Sequence, residues 1–213
     1  MKKILVVVDM QNDFIDGPLG TPEARAIVDN VCAKIREGEW NWIIRTMDTH
    51  DDRYLDTQEG KKLPVKHCHM DSAGWCSNED VRHAIQESRI RSDWVNKDSF
   101  GSTGLIDILR YVYPYSVNDE QNEFEITLIG VCTDICVISN ALLLKAHYPE
   151  MKIVVDAACC AGSSPEKHRM ALEVMKSCQI DVLNEPESES KQMDVENMPE
   201  DLPDNYIVRN FVE

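Results

Sequence analysis

The chain has 213 residues, 43% of them hydrophobic, and a formal net charge of −16. A chain of this length can bury the core of one domain and gives no ground for positing two. So acidic a surface repels phosphate backbones and anionic lipid, and no apolar run approaches the roughly 20 residues of a spanning helix, so neither nucleic acid nor a membrane is expected as a partner.

The run Lys3–Val8 reads as a first strand buried on both faces. It is short for the core of a secretion signal and ends in Asp9 rather than a small-residue cleavage site, so a cytoplasmic location is expected. Thr21–Gly38 reads as a helix: Pro22 suits its first turn, and Ala26, Ile27, Val31 and Ile35 recur at helical spacing. Trp40–Thr46 is the second strand. The residues that follow, up to the third strand, show little periodicity and are rich in His, Asp and Lys. So long a connection in a compact domain usually carries function, and only Val81–Arg89 reads as a helix within it. Ser92–Asn96 is the expected third strand, Gly104–Val112 a helix and Glu125–Val131 the fourth strand. Asp134–His147 reads as a helix with Ile135, Ile138, Leu142 and Ala146 on one stripe, followed by a strand over Lys152–Asp156. Pro165–Ser177 is the last expected helix and Gln179–Leu183 the last strand. This alternation predicts an α/β fold whose mostly parallel sheet carries helices on both faces. Residues 1–186 are expected to form the domain, and 187–213 an acidic, Pro-dotted extension. Its end, Tyr206–Val212, is apolar enough to dock on this chain or a second copy, so a homo-oligomer is one expectation.

In open parallel sheets, ligands bind outside the carboxyl ends of the strands. Asp9 follows the first strand, Asp48 and His50 the second, Lys97 the third, and Cys136 lies just past the fourth. The sequence has eight cysteines, and without an export signal they are expected as free thiols, with Cys32, Cys159, Cys160 and Cys178 as small apolar filler. Cys136 differs because it falls in the first turn of an expected helix, where the dipole favours a thiolate and unpaired N–H groups suit an oxyanion. Cys132 is the rival nucleophile, and Asp134 is expected to cap the helix. A thiol attacking an amide needs a base to take its proton and later return it to the leaving amine. Asp9 can do both, or can instead cap the loop after it. Lys97 can hold Asp9 in place by charge. Asp48 and His50 project the same way from an extended segment, with Glu59 and His67 downstream. Such an oxygen and nitrogen set suits zinc, iron(II) or manganese(II). A competing set, His67, Cys68, His69 and Cys76, would make a structural zinc knot.

The run Leu5–Phe14, the segment Lys97-Asp98-Ser99-Phe100 and the segment Gly130–Val137 resemble three separated motifs of the isochorismatase-like cysteine hydrolases. The resemblance covers roughly residues 1–186 and implies a Rossmann-like three-layer sandwich with the triad Asp9, Lys97 and Cys136. It also implies a cis peptide at Val131–Cys132, with the backbone amides of Cys132 and Cys136 forming the oxyanion hole. Asp48-Thr49-His50, Glu59 and His67-Cys68 resemble the metal motif of the nicotinamidase branch, in which a divalent metal, zinc above all, binds the pyridine nitrogen of the substrate. Phe14 and Phe100 match aromatic positions that pack on the substrate ring. Thr49 stands where many members of that branch have Trp or Ala, and the wording after Cys68, through Trp75, departs from the family's. The resemblance thus implies an amidohydrolase that converts nicotinamide to nicotinate and ammonia through a thioester. The alternatives are a related hydrolase of another small amide, N-carbamoyl or ureido substrate, and a non-catalytic metal-binding scaffold.

Overall fold

The computed structural model describes residues 2–112 and 124–185; the acidic extension, with its apolar end, lies outside them. Six strands, β1 (Lys2–Val8), β2 (Trp42–Asp48), β3 (Ser92–Lys97), β4 (Phe124–Val131), β5 (Lys152–Ala161) and β6 (Asp181–Leu183), pair in parallel throughout, in the order β3-β2-β1-β4-β5-β6. Alternate side chains of each strand feed opposite faces. Ile4, Val6, Val8, Ile44, Ile126 and Leu128 point to one core, covered by α6 (Thr103–Val112), α7 (Ile138–His147) and α8 (Pro165–Ser177). Leu5, Val7, Ile43 and Ile129 point to the other, covered by α1 (Asn12–Ile15), α2 (Pro22–Ala26), α3 (Val28–Glu37) and α5 (Glu79–Ser88). The architecture is therefore the expected three-layer α/β sandwich with a wholly parallel sheet. No helix among the described residues is long and apolar enough to cross a membrane.

Three differences from the sequence reading have local causes. The helix expected over Thr21–Gly38 is broken at Ile27, where the chain turns so that Ala24 and Ile27 before it and Val28, Val31 and Ile35 after it all reach the second core. The helix expected from Asp134 opens instead with a π-helical turn, Thr133–Val137, in which the N–H groups of Ile135 and Val137 both donate to Cys132 O at 3.0 Å. Asp134 does not cap it; its carboxylate accepts from Ser163 N at 2.7 Å and Ser163 Oγ at 2.6 Å. Strand β5 runs five residues beyond Asp156, through a small-residue stretch that carries little strand signal of its own. Its pairing with β4 shifts register between Leu128 and Gly130. Gly130 has φ +119°, and a Cβ there would lie 2.1 Å from Val8 O, so the position admits glycine alone. All eight cysteines are free. Cys32, Cys159 and Cys160 are buried as expected, but Cys178 is exposed, because it sits at the C-terminal end of α8 where the chain leaves the core.

Candidate active site

Strand order gathers the polar groups. Strands β3, β2, β1 and β4 are consecutive neighbours, and Lys97, Asp48, Asp9 and Cys136 end or follow them in turn, with Asp48 and Lys97 directly paired in register. Asp9 adopts φ +49°, a sharp turn after β1 that closes with Gln11 N donating to Asp9 O at 2.7 Å. Lys97 Nζ lies 2.7 Å from Asp9 Oδ2, 3.2 Å from Asp48 Oδ1 and 3.6 Å from Cys136 Sγ. Thr46 Oγ1 donates to the other oxygen of Asp9 at 2.6 Å. The Asp9–Lys97 contact is a close ion pair off hydrogen-bond alignment, which leaves Asp9 Oδ2 without a hydrogen-bond partner. Asp9, Lys97 and Cys136 are all buried.

Burial dominates the electrostatics of this cluster. It raises Asp9 above the usual carboxylate range, helped by the charge of Asp48 and opposed by Lys97. It pushes the Cys136 thiol well up, and the charge of Asp9 adds to that while Lys97 works against it. Burial alone would lower Lys97, but Asp9, Cys136 and Asp48 beside it together more than reverse the effect and hold its pKa above the usual lysine range. Burial and the charge of Asp9 thus work against the thiolate that a helix terminus would favour. Cys132 is pushed up to about 12 by burial and by the charges of Asp134 and Asp9.

One turn away, the donor atoms of Asp48, His50 and His67 all lie within 4.8 Å of one another. Gln11 sets Asp48 from behind: its Oε1 accepts from Asp48 N at 2.7 Å and its Nε2 donates to Asp48 O at 2.9 Å. His67 Nδ1 lies 2.8 Å from Val65 O, which fixes the ring and turns Nε2 toward Asp48. His50 Nε2 and His67 Nε2 lie 2.9 and 3.3 Å from Asp48 Oδ2, yet His50 Nε2 is buried without a hydrogen-bond partner. Burial raises Asp48, but the contacts with His50 and His67 and the charge of Lys97 override it and keep the carboxylate ionised. Two imidazoles and a carboxylate thus converge with one nitrogen orphaned, and a divalent cation fits that donor set. Glu59 stands just outside it, with Oε1 3.9 Å from His50 Nε2 and 3.8 Å from His67 Nε2. The rival zinc knot does not assemble: Cys68 N is tied to Asp13 Oδ2 at 2.7 Å, His69 Nε2 pairs with Asp52 at 3.1 Å, and Cys76 is exposed with its Sγ on Ser72 O. Adding zinc at about 100 times its Kd to chelator-treated protein is expected to raise Tm by about 5–10 °C, and to leave His50→Ala unmoved. Equal zinc shifts in both proteins, read by differential scanning fluorimetry, would count against this site.

A cleft of about 1080 Å³ opens over this edge, lined by Thr49, His50, Tyr54, Lys97, Phe100 and Ile135 among others. Phe100 is 48% exposed on its wall. Phe14 is buried behind His67, with ring centroids 5.5 Å apart, and is not part of the lining, so it can orient that imidazole but does not face the cleft. The Val131–Cys132 peptide is cis.

The sequence reading missed several supporting side chains. Thr46 and Gln11 are among them; both are polar residues in buried positions at strand ends, a signal that was present but unread. Thr133, fully buried beside the nucleophile, is 2.7 Å from His168 Nδ1 on α8, so both Thr133 and Asp134 are braced by the segment after β5. The two departures from family wording meet here, since Trp75 Nε1 donates to Thr49 Oγ1 at 2.8 Å.

The family model described as the isochorismatase domain matches residues 3–187. A nicotinamidase of Schizosaccharomyces pombe is 25% identical over 211 residues, covering 85% of this chain and 92% of the relative. Among solved structures, nicotinamidase/pyrazinamidase from Bacillus subtilis superposes with a TM-score of 0.68 at 26% identity, covering 86% of this chain and 100% of the other. Pyrazinamidase of Pyrococcus horikoshii in complex with zinc gives 0.64 at 25% identity, covering 86% and 99%. With strand order, polar edge and sequence model in agreement over the described domain, this chain belongs to the isochorismatase family of hydrolases.

Proposed function

We propose that the protein is a cysteine amidohydrolase that converts nicotinamide to nicotinate and ammonia, with residues 1–186 as its catalytic unit. The observation that carries this reading is the cluster of Cys136, Lys97 and Asp9 beside Asp48, His50 and His67, under the cleft that Lys97 and His50 line. The names of the similar proteins support it.

In this reading Asp9 takes the proton of Cys136 Sγ as the sulfur attacks the carboxamide carbon. The backbone N–H groups of Cys132 and Cys136 hold the oxyanion, and Lys97 keeps Asp9 oriented between the two protonation states. Collapse breaks the C–N bond, and Asp9 passes its proton to the departing amine, which leaves as ammonia. Asp9 then accepts a proton from the water that attacks the thioester. The C–S bond breaks, the sulfur recovers a proton from Asp9, and the carboxylate product departs. A divalent cation held by Asp48, His50 and His67, with Glu59 behind them, would supply an electrophilic anchor for a ring nitrogen. Phe100 is placed to flank the ring from the opposite wall.

Purified, zinc-loaded protein is expected to release ammonia from nicotinamide at least about tenfold faster than from benzamide, which lacks the ring nitrogen. No ammonia from nicotinamide would sink the reading. The cleft is larger than one pyridine ring fills, which favours as second reading a bulkier amide or N-carbamoyl acid. Release from such a substrate, with nicotinamide inert, would establish it.

A further inference from the structure

A second cleft, of about 620 Å³, lies on the sheet face opposite α6 and α7, against the β2–β3 edge and α5, and shares no lining residue with the first. Arg45 lines it from the middle of β2. The residues two before and two after it, Ile43 and Met47, face the same way and are buried and apolar, so a guanidinium at this position does not serve packing. Arg45 has no acidic partner among the described residues. One of its terminal nitrogens donates to Ser77 Oγ at 3.1 Å, while Nε is shut away from solvent with no hydrogen-bond partner. Burial and the nearby Arg82 both pull the guanidinium below its usual pKa, as fits a cation without an acidic partner. Arg82 is only loosely neutralised, by exposed Glu79 at 3.7 Å. In a chain of net charge −16, an unpaired, half-buried arginine beside a second one is an exception that calls for an anion.

The walls say more about that anion. Trp94, paired in register with Arg45 on the edge strand, is 59% exposed; the Arg45 guanidinium lies over its ring, 5.6 Å from the centroid, which leaves the rest of the exposed indole open. Trp75 forms part of the opposite side. An exposed indole beside a guanidinium offers a flat stacking surface next to a fork of donors. We propose that this cleft is a second binding site, for a small molecule in which an oxyanion is joined to a flat ring. A second copy of the chain fits less well, because a two-fold contact through this cleft would set Arg45 and Arg82 against their own equivalents.

The test is titration of the full-length protein with nicotinate and with AMP, which present a carboxylate and a phosphate on flat rings. Nicotinamide and adenosine are the neutral counterparts, and quenching of tryptophan fluorescence is the readout. At least one anion is expected to saturate, with its neutral counterpart binding about tenfold more weakly or worse, and the one that does identifies the oxyanion. Arg45→Met is expected to weaken binding by about tenfold or more, which places the signal here rather than in the catalytic cleft. Arg82→Gln, at an exposed side chain, should weaken it about threefold and serves if Arg45→Met does not fold. The proposal is overturned if neither anion saturates by about 10 mM, or if the folded variants bind as wild type does. It is equally overturned if the protein sediments as a dimer that Trp94→Asp dissolves, since the cleft would then belong to a second copy.

Discussion

Cys136→Ala is expected to abolish ammonia release, a loss on the order of 10⁵-fold or more, while zinc still raises Tm as in the wild type. No neighbouring group can take over the attack. Cys132, the other thiol of the segment, lies before the π-helical turn, whereas Lys97 Nζ reaches Cys136 Sγ at 3.6 Å. Nothing in the metal set contacts the sulfur directly, so deleting it leaves Asp48, His50 and His67 where they are. The comparison variant is Cys132→Ala, whose side chain has no chemical part in the proposed steps. A dead Cys132→Ala alongside an active Cys136→Ala, in the same ammonia assay, would reverse the assignment of the nucleophile.

Much of this site was legible before any coordinates because its residues stand at strand ends, and strand ends in a parallel sheet share an edge. The apolar run Ile4–Val8 stopping at Asp9 located one such end without ambiguity, and the burial of Ile4–Val8 in β1 bears that out. What the sequence could not carry is the ionisation of Cys136. Its place after a strand suggested a thiolate at a helix terminus, but the turn that forms is π-helical, and burial and the charge of Asp9 push the thiol up. Phe14, matched by resemblance to an aromatic position on the substrate ring, is packed by α1 into the second core beside His67. Asp134 follows the same pattern, since a helix cap and a tie to Ser163 look alike until β5 is known to run on to Ala161. Each failure involves a contact between residues distant in sequence, which local propensity does not encode. The Thr49–Trp75 hydrogen bond is the constructive case: two departures from family wording that looked independent prove to be one contact, between Thr49 on the wall of the first cleft and Trp75 on that of the second.

Asp9→Asn should lower kcat by about 10³- to 10⁴-fold with little change in zinc binding, because it removes the proton shuttle together with the charge that pairs with Lys97. The amide is nearly isosteric and its oxygen can still accept from Thr46 Oγ1, while Lys97 keeps its 3.2 Å contact with Asp48. Asn cannot take the proton of a thiol that burial holds well above its ordinary range. The pH dependence separates this from a steric effect. Asp9 must be ionised to act as base, and burial raises its pKa, so the acid limb of kcat/KM in the wild type should fall above the ordinary carboxylate value of about 4. Below that limb the rate drops about tenfold per pH unit, and the residual rate of the variant should lack the limb. Stability carries the same signature. A carboxyl raised on folding holds its proton more tightly in the native state, so its contribution is full below the unfolded value of about 4 and is lost as pH climbs through the folded one. Urea unfolding at several pH values should show that decline in the wild type and not in Asp9→Asn. A variant that kept its rate within about tenfold, with the acid limb unmoved, would show that some group other than Asp9 handles the proton.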